Sequence, residues 1–219
     1  MKKIVISMIF TILLSQPVTA GQKIIALSFD DGPGRYTNAI LDILEEYNVR
    51  ATFFVLGSAI EQRPETFLRT VELGHEIGNH TWNHENLTGL SAWQITQTLR
   101  NTSNLIEELT GQAPSIMRPP YGAFGSREQS IIERLGYSVI MWSVDPRDWE
   151  RRNSRAIYNH ITQNARHGDI ILLHDIHRTT YQAVDKLIPS LIERGFTFVT
   201  VGQLLGETTP GRVYRAGTH

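Results

Sequence analysis

Short apolar runs alternate along this chain with apolar stripes of helical period. Residues 23–30 form a first run that reads as a buried strand and stops on two adjacent carboxylates, Asp30 and Asp31, before a turn at Gly32-Pro33. Thr37 can cap a helix in which Ile40, Ile43, Leu44 and Tyr47 recur at helical spacing. Residues 51–56, with Thr52, Phe53, Phe54 and Val55, suit a second buried strand. A helix follows Pro64, buries Phe67, Leu68 and Val71 and ends at Gly74, and residues 75–79 predict a short third strand. Ser91 with Gln94 fits a capping box, opening a long helix whose stripe is Ile95, Leu99, Thr102, Ile106 and Leu109, closed by Gly111.

The alternation then repeats. Residues 116–118 predict a fourth strand, and Ser126 with Gln129 opens a helix that stops at Gly136. Residues 138–144 predict a fifth strand ending on Asp145, followed by a helix from Ser154 to about Ala165. The unbroken apolar run Ile170, Ile171, Leu172, Leu173 suits a sixth strand buried on both faces and ending at His174. After Thr180 come the apolar pairs Ala183-Val184, Leu187-Ile188 and Leu191-Ile192, then Gly195 and a last strand at residues 196–201. The tail, 207–219, has no periodicity and receives no element. Strands each followed by helix imply an α/β fold, a parallel sheet closed into a barrel like a shortened (β/α)8, with an open doubly wound sheet as the alternative. No glycine-rich loop follows the first strand, which disfavours dinucleotide binding.

Composition narrows the chemistry. At 219 residues, 41% hydrophobic and 20% charged, the chain can bury one sizeable core, and a single domain is expected over 21–206. A formal net charge of -1 provides no basic footprint for nucleic acid. The absence of cysteine excludes disulfides and thiolate sites, leaving His, Asp and Glu as the strong metal ligands. Lys2 and Lys3, an apolar run from Ile4 to Leu14, and Val18-Thr19-Ala20 read as a signal peptide over 1–20 with cleavage near Ala20. The apolar run is short for a bilayer span, so a secreted or periplasmic protein without stable membrane insertion is expected, an uncleaved anchor being the alternative.

The polar residues that end strands would share one rim of such a barrel, the rim where the loops carry chemistry. They are Asp30 and Asp31, His80 after the third strand, Arg118, Asp145 and His174. His80 and His84, at i and i+4, can chelate one cation if they lie on a helical turn; with Asp31 they leave coordination positions open, as in a catalytic site. Such donors favour one divalent ion, Zn²⁺, with Co²⁺, Ni²⁺ or Mn²⁺ possible, and the same set can hold non-haem iron. A metal lowers the pKa of water from 15.7 toward about 7, and the free carboxylate of Asp30 can then remove a proton, a contribution of roughly 10²- to 10⁴-fold. Arg118, in a loop stiffened by Pro119 and Pro120, can orient Asp30 as its counter-ion. His174 can act as general acid if a carboxylate restores the charge that burial disfavours, and Asp145 is the expected partner. His177 is the histidine nearest this rim among those given no role.

Five stretches in order, residues 28–33 (SFDDGP), 80–84 (HTWNH), 118–121 (RPPY), 145–149 (DPRDW) and 172–174 (LLH), resemble the motifs of the polysaccharide deacetylases of carbohydrate esterase family 4, the domain shared with rhizobial chitooligosaccharide deacetylases. The resemblance covers about residues 23–205 and departs at Ser28, where Thr is more usual. It implies a distorted (β/α)7-type barrel, one metal on Asp31, His80 and His84, and Asp30 as base positioned by Arg118. It also implies an oxyanion donor in the Tyr121 N–H, Asp145 tuning His174, and a pocket for the acetyl methyl shaped by Trp149 and Leu172, with Pro119 beside them. The implied substrates are acetylated polysaccharides: N-acetyl groups of peptidoglycan or chitin-like polymers, or O-acetyl groups of xylan in some members. The competing classes are a non-catalytic glycan-binding module stacking sugars on Trp82, Trp142 or Trp149, and a hydrolase of small amides. Residues 57–64 and 84–91 are the loops expected to face the polymer.

Overall fold

The structure, a computed structural model, describes residues 23–217, so the expected signal segment lies outside the described residues. Among the described residues eight strands are formed: β1 Lys23–Asp30, β2 Thr52–Val55, β3 Glu76–Asn79, β4 Ile116–Met117, β5 Ser138–Ile140, β6 Ile170–His174, β7 Phe196–Val199 and β8 Val213–Tyr214. All pair in parallel in the order β6-β1-β2-β3-β4-β5-β8, with β7 beside the N-terminal half of β1. The helices are α1 Thr37–Glu46, α2 Gly57–Gln62, α3 Pro64–Glu72, α4 Ala92–Thr110, α5 Ser126–Arg134, α6 Asp148–Arg151, α7 Ser154–Asn164, α8 Arg178–Glu193 and α9 Val201–Leu205. No helix among the described residues is long and apolar enough to cross a membrane.

Register brings the chemistry to one rim. Asp30 lies opposite His174 on one side and Phe54 on the other; Val55 pairs with Asn79, and Asn79 with Met117. His80 and Arg118, which follow those residues, therefore emerge within about two residues' rise of Asp30. The core beneath is apolar on both faces of β1 and β6. Phe29 and Phe53 stack at 5.0 Å, and Ile40, Leu44, Leu173, Val184 and Leu187 are fully buried between sheet and helices. Each such side chain stabilises by roughly 1.5–3 kcal/mol relative to exposure.

Several elements differ from the sequence reading: α6 and α9 are not predicted by it, the last strand ends at Val199, α5 is capped at Gly125 with Glu128, and three further differences shape the sheet and the rim. The strand expected over 138–144 is broken: β5 stops at Ile140, residues 141–143 leave the sheet, and Val144 bridges in parallel to Ile171. The break has a physical cause, because the Ile140 and Met141 carbonyls accept hydrogen bonds from Arg118 at 3.1 and 3.0 Å. The bridge, with Ser143 N donating to Ile170 O and Leu172 N to Val144 O, both at 3.0 Å, links β6 to the segment after β5 and curls the sheet into a distorted (β/α)7-type barrel. Much of the stretch expected as the loop 57–64 is instead α2. The tail given no element contains β8, which pairs with β5 and whose Tyr214 carbonyl accepts from Met141 N at 2.7 Å. Two residues are too few to carry a periodic signal.

Tyr214 is buried against Ala26, Phe54, Ile116 and Ile140, and its hydroxyl accepts from Thr209 N at 2.9 Å. Tyr214→Ala is expected to cost about 3 kcal/mol and to lower the thermal midpoint by roughly 6–12 °C. A calorimetric scan showing an unchanged midpoint would mean that β8 is ornamental.

Candidate active site

Asp30 ends β1 against a wall whose far side is buried. Arg118 is 0% exposed and reaches from β4 to donate through Nη1 to Asp30 Oδ1 at 2.7 Å and to Ser28 Oγ at 2.9 Å. Its guanidinium lies 4.1 Å from the Phe54 ring centroid and 5.6 Å from that of Trp142. Burial pushes the guanidinium below its ordinary pKa, and the Asp30 charge opposes that shift. Ser28, the one departure from the family motif, thus has a role: it accepts from Arg118 and donates to Ile171 O at 2.7 Å.

Asp31 turns the other way, helped by a left-handed backbone (φ 74°). One ligand atom each from Asp31, His80 and His84 lies within 4.8 Å of the others. His80 Nδ1 is 2.7 Å from the Arg118 carbonyl, which can only accept, so Nδ1 carries a proton and Nε2 is the ring atom turned toward Asp31 Oδ1, at 3.4 Å. His84 Nε2 is also 3.4 Å from Asp31 Oδ1, and burial holds His84 below the ordinary histidine pKa, toward the neutral form a ligand needs. Asp31 Oδ1 is buried without a hydrogen-bond partner. One carboxylate oxygen and two imidazole nitrogens converging on one point are a donor set that fits a divalent cation. The pair of histidines is not on a helical turn, as the i, i+4 spacing suggested: Thr81 and His84 are both left-handed (φ 73° and 60°), and the loop between them folds back on itself.

His174 faces this group from β6. Its partner is Asp148, not Asp145: Nδ1 is 2.7 Å from Asp148 Oδ1, while Asp148 Oδ2 accepts from His174 N at 2.8 Å and Thr180 Oγ1 at 2.6 Å. Asp145 Oδ1 instead accepts from Arg147 N at 2.7 Å, and Arg147 is left-handed (φ 53°). That turn swings the chain inward so that the second aspartate of the stretch, at the start of α6, reaches the histidine. Burial works against the charged ring, but the hydrogen bond to Asp148 and the charges of Asp148, Asp30 and Asp31 outweigh it and raise His174 to about 9. His177 lies 6.0 Å from His174 between ring centroids, and its Nδ1 accepts from Arg152 Nη1 at 2.9 Å.

These groups line a cavity of about 470 Å³, with Pro119, Tyr121, Gly122, Trp142, Asp145, Trp149 and Leu172 completing its wall. Every residue expected at the site lines it except Arg118, which backs Asp30. Tyr121 is left-handed (φ 61°), 69% exposed, and sets its ring edge-on to His84 at 4.4 Å. Two supporting residues escaped the sequence reading. Asp148 stands inside a quoted motif, but only the turn decides which aspartate points inward. Asp175 is wholly buried against Gly32, accepts from Thr37 Oγ1 at 2.5 Å, and is pushed up by burial to about 7. Its position next to His174 was the available signal.

A family model described as polysaccharide deacetylase matches residues 18–140. The chain belongs to the polysaccharide deacetylase family. It is 43% identical over 190 residues to the peptidoglycan-N-acetylmuramic acid deacetylase PdaC of Bacillus subtilis, covering 86% of this chain and 40% of that protein. To the peptidoglycan-N-acetylglucosamine deacetylase PgdA of Listeria monocytogenes it is 41% identical over 192 residues, covering 87% and 41%. The chain thus spans about two fifths of the length of these curated relatives. A solved structure of T48 deacetylase with substrate matches at a TM-score of 0.84 and 41% identity, covering 88% of this chain and 96% of that one. The polysaccharide deacetylase fold expected from the motifs is therefore the fold present.

Asp148→Asn is expected to lower the His174 pKa by about 1–3 units, while Asp145→Asn leaves it near the parent value, as read by NMR titration of the imidazole. The folded-state value of about 9 lies above the unfolded value of about 6.5, so the stabilisation from this pair is complete below the lower value and lost as pH rises through the upper. Thermal midpoints of Asp148→Asn should lack that alkaline loss. Equal pKa shifts in the two variants would return Asp145 to the role.

Proposed function

We propose that this chain is an exported, divalent-metal-dependent deacetylase that hydrolyses N-acetyl groups of an amino-sugar polymer, with peptidoglycan the favoured substrate. The observation that carries the reading is the convergence of Asp31, His80 and His84 beside an arginine-held Asp30 and opposite a charged His174. Both relatives named above act on peptidoglycan, which supports the polymer, and the leader read at residues 1–20 supports export to where such a polymer lies.

Asp31 and the Nε2 atoms of His80 and His84 would hold the ion, Zn²⁺ by preference, with Co²⁺, Ni²⁺ or Mn²⁺ suited to the same donors. Such an ion supplies Lewis acidity, polarising the acetyl carbonyl and acidifying water. The protein's residues divide the remaining work. Asp30 has one oxygen tied to Arg118, and its Oδ2, 3.7 Å from His80 Nε2, faces the same point and takes the proton of the attacking water. The Tyr121 backbone N–H stabilises the oxyanion as it forms. His174, with Nδ1 engaged by Asp148, presents Nε2–H to the departing nitrogen and is charged at neutral pH. An amine leaves far less readily than an alcohol, so a strongly held acid suits an amide substrate better than an ester. Trp149, Leu172 and Pro119 supply the apolar wall against which an acetyl methyl packs.

Asp30→Asn is expected to retain metal and to lose about 10²- to 10⁴-fold in kcat, whereas Asp31→Asn loses metal and turnover together. Elemental analysis of the two purified variants checks this, and full metal occupancy in Asp31→Asn would remove the ligand assignment. Acetate release should occur from peptidoglycan, stop with chelator and return with Zn²⁺. Preferential release from acetylated xylan would make the enzyme an esterase, and release from none of peptidoglycan, chitin oligomers and xylan would favour a binding module.

A further inference from the structure

The loop carrying His80 and His84 is held in a shape that its own residues do not favour. Thr81 and His84, neither of them glycine, sit in the left-handed region, and such conformations persist only where the surroundings over-determine them. The Thr81 and Trp82 carbonyls are held by the Gly57 and Ser58 amides at 3.1 and 3.0 Å, and the amides of the loop's centre depend on one carboxylate and its partner. Glu85 Oε2 accepts from the Asn83 backbone N–H at 2.9 Å and from Thr98 Oγ1, also at 2.9 Å. Thr98 is buried on α4, and its Oγ1 in turn accepts from the Trp82 backbone N–H at 2.8 Å. The Glu85 N–H closes the turn on Thr81 Oγ1 at 3.3 Å, and the Thr81 N–H is held by Asn79 Oδ1 at 2.8 Å. The amides of both residues at the centre of the loop, Trp82 and Asn83, are thus fixed through a single Glu85–Thr98 clamp to a rigid helix.

We infer that Glu85, acting through Thr98, is a positioning residue for the metal centre: it sets the backbone from which His84 reaches toward Asp31. The inference rests on the reading of Asp31, His80 and His84 as ligands. Glu85 itself is engaged by the loop and by α4, so it serves the site through backbone geometry. His80 has independent support from the Arg118 carbonyl, whereas the approach of His84 to Asp31 at 3.4 Å depends on the path of the chain across residues 81–84. Loss of the clamp frees two amides and lets the strained residues relax, which moves His84 more than His80.

The test uses the full chain and Zn²⁺ alone as probe, with affinity measured by competition against a chromophoric chelator and hydrogen exchange of residues 81–85 followed in the metal-free protein. Glu85→Ala is expected to weaken Zn²⁺ binding by about 10- to 100-fold and to speed exchange in the loop. Glu85→Gln, which keeps an oxygen acceptor for both donors, should restore most of the affinity. Thr98→Val should weaken binding in the same direction, and adding it to Glu85→Ala should cost less than the sum of the two single effects, as expected for members of one clamp. A clamp serving only fold stability would lower the thermal midpoint and leave Zn²⁺ affinity unchanged, which overturns the inference. His84→Ala separates the two levels of the argument. If it weakens binding while Glu85→Ala does not, the positioning role alone fails; if neither weakens binding, the ligand reading fails and takes this inference with it.

Discussion

The site depends on a guanidinium buried where water cannot reach it. Arg118 leaves the end of β4, crosses the interior, and spends its donors on Asp30, Ser28, and the carbonyls of Ile140 and Met141, while Phe54 and Trp142 flank its charge. A charge removed from water this completely is tolerated only when paired and hydrogen-bonded on every side. The residue also works through its backbone, because its carbonyl fixes the His80 tautomer. One position therefore aims the proposed base, prepares a proposed ligand and interrupts β5.

That interruption connects fold to site. Had the Ile140 and Met141 carbonyls been used by a neighbouring strand, β5 would have continued as the apolar pattern of residues 138–144 suggests. Instead the chain steps out, returns at Val144 beside β6, and arrives at Asp145 already curving. The Asp145–Arg147 turn then delivers Asp148 to His174. The motif at residues 145–149 was visible in the sequence, but the choice between two aspartates three residues apart is made by a left-handed turn that no periodicity encodes. The same holds for the histidine pair, whose i, i+4 spacing is shared by a helix and by a loop folded back on itself. Elements set by local patterns, such as β1, the capping box at Ser91 and the helix closure at Gly111, were legible because each needs only neighbours in sequence. β8 needed a partner more than seventy residues away and was not.

Charge pairing divides the acids of the cavity into two kinds. Asp30 has Arg118, and Asp148 has His174, the hydroxyl of Thr180 and two backbone amides. Asp31 has no guanidinium or hydrogen-bonded histidine of that kind: its buried Oδ1 meets the Nε2 atoms of His80 and His84 at 3.4 Å each. Arg118 and the charged His174 are thus matched by Asp30 and Asp148, while Asp31 and the rim carboxylate of Asp145 add negative charge to the wall. A wall of that sign opposes the build-up of an oxyanion beside it. A dication held by Asp31, His80 and His84, as proposed, would reverse the sign where the negative charge of acyl hydrolysis develops, without disturbing either of the other pairs. The arrangement that leaves Asp31 unmatched is therefore the same one that would let a single bound ion convert a repelling wall into a stabilising one.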